Sequence, residues 1–111
     1  MSIKFQLTEE ATRDLERSMD YLSQRSITAA NNLADRLEDA FHLIADWPNL
    51  GYHHTEFAQS PLRFWNADGY VIAYLPESSP LLILAVSHGS RDSVAEIEFR
   101  LNNQPDRNPI D

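Results

Sequence analysis

Three strand-forming runs follow one another in the second half of the chain, and the connections between them are too short to leave a choice of pairing. Leu62 to Trp65, Tyr70 to Leu75 and Leu81 to Ser87 are separated only by Asn66-Ala67-Asp68-Gly69 and by Pro76-Glu77-Ser78-Ser79-Pro80. A parallel crossover takes a dozen or more residues, so connections of this length make the three runs an antiparallel meander. Gly69 supplies the positive φ that a tight hairpin turn requires. Tyr70 to Leu75 is β-branched, aromatic and free of breakers. Leu81 to Ser87 is apolar nearly throughout, the pattern of a strand covered on both faces.

The first half reads differently. Ile3, Phe5 and Leu7 alternate with Lys4 and Gln6, the period of a half-buried strand. At Thr8 the period changes. Thr8 can cap a helix whose first turn carries Glu9 and Glu10, where the macrodipole favours negative charge. Ala11, Leu15, Met19 and Leu22 then recur at helical spacing, which predicts a helix over 9–24 with Arg13, Glu16, Arg17 and Asp20 on its wetter side. After Gln24-Arg25-Ser26, Ser26 caps a second helix reaching Asp46. Its stripe is Ala30, Leu33, Leu37, Phe41 and Ile44, extended by Trp47, with Arg36, Glu38, Asp39 and His42 off its centre. Pro48 cannot continue the ladder and Gly51 suits a left-handed exit. So short a break makes the two helices an antiparallel hairpin.

Residues 48–61 hold no sustained period and read as a loop. Past the last strand, His88-Gly89-Ser90 is a break, and Asp92 or Ser93 caps a short helix through Val94, Ile97 and Leu101. The expected fold is α+β in two layers: an N-terminal strand, a helical hairpin, a three-stranded meander on which the hairpin buries its stripe, and a short C-terminal helix. One domain spans 1–101, and the polar, proline-containing segment 102–111 is expected to be a mobile tail.

Composition narrows the function. The 111 residues carry 9 Lys and Arg against 17 Asp and Glu, a net charge of −8. That excess repels phosphate backbones and anionic lipid, so general nucleic-acid or membrane-surface binding is disfavoured. The absence of cysteine removes disulfides, thiolate metal sites and cysteine nucleophiles together. The start, MSIKFQLTEE, lacks the apolar run of a signal peptide, and the longest apolar stretch, Leu81 to Val86, cannot span a bilayer. The expected location is the cytoplasm.

Few residues form a chemical constellation. His53-His54 lacks the spacing of a zinc motif, the acidic pairs lie on exposed helix sides, and neither a glycine-rich phosphate loop nor GxSxG occurs. No metal, cofactor or catalytic set is expected. Arg63 and Trp65 share a face of the first meander strand, while His88, Arg91 and Asp92 cluster at the end of the last. A guanidinium so placed can bind phosphate or carboxylate, stack on Trp65, or fix a turn through a carbonyl or carboxylate.

The order of these pieces resembles the RelE/ParE superfamily of toxins from bacterial type II toxin–antitoxin pairs, closest to the ParE branch. The resemblance covers roughly 3–101. It rests on Ala11, Asp14 and Leu15, then Tyr21; on Leu37, Phe41, Ile44, Pro48 and Gly51; on Leu62-Arg63; on Gly69 to Tyr74; and on Ile83 to Asp92, whose HGSRD is the most telling part. It implies a toxin neutralised by a co-expressed, ParD-like antitoxin. ParE-like members inhibit DNA gyrase by binding it, whereas RelE-like members are ribosome-dependent mRNA endonucleases. Arg63, Trp65, His88, Arg91 and Asp92 are then the candidate binding residues, and Leu15, Met19, Leu22, Ile97 and Leu101 the candidate antitoxin-docking residues.

The nuclease pattern is mostly missing. Only Arg91 stands where RelE-like members place a basic residue after the last strand. Val71 occupies a position where they commonly carry arginine, and Ile97 falls where their tyrosine would be. Scission by 2′-hydroxyl attack needs a base and cations around the phosphate. The expectation is therefore a gyrase-directed toxin without catalytic residues and without direct nucleic-acid binding. The alternatives are a RelE-like endonuclease and a non-toxic relative that acts only in complex with its antitoxin-like partner. An acidic chain must meet an antitoxin through local basic or apolar contacts.

Overall fold

A computed structural model describes residues 3–53 and 61–89, together with Ile97 and Phe99. It is an α+β structure of two helices and a four-stranded mixed sheet. The strands are β1 (Phe5–Leu7), β2 (Arg63–Ala67), β3 (Tyr70–Leu75) and β4 (Leu81–His88), and the helices are α1 (Glu9–Ser23) and α2 (Ile27–Asp46). The sheet order is β1-β4-β3-β2. β2 with β3 and β3 with β4 pair antiparallel, whereas β1 runs parallel to β4, Phe5 opposite Leu81 and Leu7 opposite Ile83.

Side-chain caps set where the helices begin. Thr8 Oγ1 accepts from the Ala11 N–H at 3.2 Å, and Ser26 Oγ accepts from the Ala29 N–H at 3.1 Å. Thr8 is itself buried, and its hydroxyl donates to the Leu84 carbonyl. One residue thus ends β1, starts α1 and ties both to β4. The whole α2 stripe, Ala30, Leu33, Leu37, Phe41 and Ile44, is buried, the last four in one cluster with Ile72, Tyr74, Leu81, Ile83 and Val86 of the sheet. The opposite sheet face carries a second cluster of Leu62, Phe64, Val71, Ala73, Leu84, Ala85 and Ile97. Both faces of β3 and β4 are therefore covered, which is why these strands read as nearly continuous apolar runs.

An irregularity in β4 sorts its residues between the faces. Ala73 lies opposite Ala85 but Tyr74 lies opposite Ile83, so Leu84 is an extra residue in β4. Such a bulge shifts the alternation by one. Leu81 and Ile83 point to the helix side, Leu84 and Ala85 to the other, and Val86 returns to the helix side.

Several expectations need correction. Ile3 is 74% exposed and precedes β1, so the edge strand begins at Phe5. Trp47 does not extend the stripe: it caps α2 with non-helical backbone and is 66% exposed. Residues 48–50 form a 3-10 turn, and Tyr52 makes an antiparallel bridge to Phe64, so this stretch is not wholly loop. The β2–β3 turn is tighter than Asn66 to Gly69. It consists of Asp68 and Gly69, both at positive φ (54° and 83°). Gly51 has an ordinary φ of −69° and is not a left-handed exit. The expected C-terminal helix lies outside the described residues except for Ile97 and Phe99, both in helical backbone, and the expected tail 102–111 lies outside them entirely.

Candidate functional site

Arg63 and Tyr74, neighbours across β2 and β3, fasten the chain where it leaves α2. The Arg63 Nη1 donates to the Gly51 carbonyl at 2.6 Å and reaches the Asn49 carbonyl at 3.4 Å. Tyr74, fully buried, donates its hydroxyl proton to the Pro48 carbonyl at 2.7 Å and accepts from the Gly51 N–H at 2.8 Å. Burial pushes the Tyr74 phenol above its ordinary pKa, while the Gly51 N–H and the Arg63 charge pull the other way. Glycine at 51 is a matter of space. A Cβ there would run into the Tyr74 hydroxyl, meet the Phe64 carbonyl at 2.6 Å and Tyr74 Cε1 at 2.8 Å. Arg63 thus fixes a turn through carbonyls. Its partner on the same strand face, Trp65, is half-buried against the helix-side core.

His88 belongs to the other end of the sheet. Reading the pairing across, Arg63, Tyr74 and Ile83 form one row, and Ala67, Tyr70 and His88 another four residues further along β2, about 13 Å away. His88 is exposed and lies edge-on to the Tyr70 ring at 5.0 Å. The two candidate groups do not converge, and Arg91 and Asp92 lie outside the described residues. The His53 Nδ1 lies 3.0 Å from the Leu62 carbonyl, a bond in which that nitrogen carries the proton. His54 is outside the described residues, and no group of three metal-ligating side chains occurs among them.

Two depressions flank α1. The first, about 400 Å³, lies between α1 and the end of β4 and is lined by Asp14, Arg17 and Tyr21 from the helix and by Tyr70, Ser87 and His88 from the sheet. At its floor Asp14 Oδ2 accepts from the Val86 N–H at 3.1 Å. Tyr21 of its lining lies under the Arg25 guanidinium at 4.7 Å, the cation–π contact among the described residues. The second, about 290 Å³, is apolar and lies between the helices, lined by Leu15 and Met19 of α1, Leu37 and Phe41 of α2, and Phe5 and Leu7 of β1. Leu15, Met19 and Leu22 are half-buried and packed on the core. Leu15 and Met19 face the apolar groove and Leu22 lines the other. Ile97 is buried in the second core cluster, and Leu101 is outside the described residues.

Composition and helix periodicity do not reveal the first depression, because its residues come from three elements and alternate with core positions.

A sequence model of the family described as the ParE toxin of the type II toxin–antitoxin system, parDE, matches residues 5–93. The chain belongs to that family. No curated protein matches it in a direct sequence comparison. As a ParE-family toxin it has a cognate antitoxin as its implied partner. The matched span takes in α1, α2 and all four strands. Val71 and Ile97 are 4% and 3% exposed and sit in one apolar cluster of this ParE-family protein. No helix among the described residues is long and apolar enough to cross a membrane.

Proposed function

We propose that this protein poisons DNA gyrase by binding it, in the cytoplasm, and is held inactive by a ParD-like antitoxin. The observation that carries the reading is the burial of Val71 and Ile97. A nuclease of the RelE type needs a cation and a phenol presented to RNA, and apolar side chains packed into a core offer neither. Inhibition by binding asks only for a surface. The net charge of −8 also supports a protein target over a nucleic-acid one.

Neutralisation is assigned to apolar contact. The groove lined by Leu15, Met19, Leu37 and Phe41 takes apolar side chains of an antitoxin, where the net charge of either partner matters little. Leu22, which lines the first depression, extends that surface along α1.

The test is expression of this chain alone from a tight promoter, with DNA and protein synthesis followed separately. An early fall in DNA synthesis, together with loss of supercoiling by purified gyrase, is the expected result. Protein synthesis falling first would replace this reading with a RelE-like endonuclease. A folded protein that leaves both unchanged would make it a non-toxic relative.

A further inference from the structure

One row of side chains on α1 runs against the charge of the chain. Arg17, Tyr21 and Arg25 follow at steps of four, so they stand on one line along the helix and its C-terminal exit, about 12 Å from end to end. All three are exposed, Tyr21 at 60%. The Arg25 guanidinium lies over the Tyr21 ring. Neither Arg17 nor Arg25 is in an ion pair among the described residues, whereas Arg13, one step earlier, is bonded to Glu9.

The acids of α1 leave this row cationic. At about 100° per residue, Glu9, Glu16 and Asp20 are turned by about 100° or more from Tyr21. Asp14 stands near the row's first end, and its carboxylate accepts from the Val86 N–H. Two guanidinium groups with an aromatic ring between them thus form a local exception in a protein with 17 acidic side chains.

The chemistry of the row selects its ligand. Guanidinium groups bind carboxylates through paired hydrogen bonds, and tyrosine and arginine are among the side chains that most often dominate the energy of a protein interface. A phosphate backbone extends its charge well beyond 12 Å and would run on over the acids that flank the row, which repel it. A short acidic protein segment has no such difficulty. Carboxylates eight residues apart on a helix, or four apart on a strand, match the spacing of Arg17 and Arg25.

The row is also separate from the apolar groove. Leu15 and Met19, which line that groove, are turned by about 120° or more from Tyr21 around the helix axis. Whatever fills the groove therefore approaches α1 from the other side.

We infer that Arg17, Tyr21 and Arg25 form the surface on which this toxin meets its target, and that the target presents an acidic protein segment there. Its carboxylates lie on the two guanidinium groups and an apolar side chain lies against the Tyr21 ring. This rests on the gyrase reading proposed above and deepens it, by naming the surface used and the charge it selects. The row steers an acidic protein onto an acidic target patch that the rest of its surface would repel.

The test uses the full-length protein and purified gyrase, with supercoiling inhibition and direct binding both measured. Arg17→Glu and Tyr21→Ala each raise the half-inhibiting concentration tenfold or more. Arg36→Glu, the same change of charge on an exposed side chain of α2, raises it less than threefold. Raising salt from about 50 to about 300 mM weakens binding of the natural protein more than that of Arg17→Glu. Both row variants keep the natural circular dichroism and antitoxin affinity, because the row is exposed and lies away from the groove. Row variants that inhibit as well as the natural protein would overturn this inference and leave the gyrase reading standing. Binding of the natural protein to DNA without gyrase, weakened by the same two changes, would overturn the assignment of the row to a protein partner. A natural protein that neither binds nor inhibits gyrase would overturn both the inference and the reading beneath it.

Discussion

Replacing Tyr74 by phenylalanine tests the link between α2 and the sheet, because it removes one oxygen and no carbon. The ring keeps its packing among the buried residues of the helix-side core. What is lost is the hydroxyl that donates to the Pro48 carbonyl and accepts from the Gly51 N–H. The Pro48 carbonyl is only partly buried and can take a water, so that half of the loss is small. The Gly51 N–H is buried, and phenylalanine leaves it with no acceptor from residue 74. An orphaned buried donor costs about 1–3 kcal/mol, which puts the total near 2 kcal/mol. Unfolding entropy of about 2.1 cal/mol/K per residue over 111 residues is about 0.23 kcal/mol/K, so Tm should fall by about 9 °C. Tyr52→Phe is the control. Its hydroxyl donates to Asn66 Oδ1 at 3.0 Å on the exposed surface, where water replaces the bond, and it should cost under about 0.5 kcal/mol. Thermal unfolding of both variants by circular dichroism decides the matter. A Tyr74→Phe protein that melts with the Tyr52→Phe control would refute the reasoning that burial of Gly51 N–H sets the cost.

Other expectations follow from the same geometry. Burial holds the Tyr74 phenol above the ordinary 10.0, so its contribution is complete below pH 10 and declines as pH rises through the unfolded value toward the folded one; the alkaline limb of a stability–pH curve should be steeper for the natural protein than for Tyr74→Phe. Thr8→Ala removes both the α1 cap and the bond to the Leu84 carbonyl and should lower the urea midpoint by an amount equivalent to about 1–2 kcal/mol. Val71→Arg buries a charge and should cost about 3–5 kcal/mol, seen as loss of the folding transition without any gain of RNA cleavage. Gly69→Ala places a Cβ at φ 83° and should cost about 1–2 kcal/mol in the same denaturant assay.

Local signals carried most of the architecture. Thr8 and Ser26 were recognisable as caps because their side-chain oxygens do the same job in any helix. The α2 stripe was recognisable because one face of a surface helix must be dry. Trp47 broke the pattern because periodicity has no way to register that the helix ends one residue earlier. The bulge at Leu84 was hidden for a physical reason: with both faces of β4 buried, a slip in alternation replaces one apolar residue by another. Gly51 was misread because a glycine required by a neighbour's closeness looks the same in sequence as one required by φ. Arg63 was open between ligand and turn until the Gly51 carbonyl appeared 2.6 Å from it. The depression beside α1 depends on where β1 stops relative to β4, a relation between residues 76 apart in the chain.

That parallel pairing has a bearing on how the protein is made. The chain leaves the ribosome N-terminus first, so β1 and the helical hairpin are synthesised well before β4, the strand they pack against. Until Leu81 to His88 emerge, the stripe from Leu33 to Ile44 has only the β2–β3 hairpin to cover it, and Phe5 to Leu7 have no ladder to join. Closing a loop of this length is slow compared with forming the hairpin or the meander, so β1 should be the last element to dock. A nascent chain of this fold therefore keeps an incomplete sheet until residues 81–88 have left the ribosome.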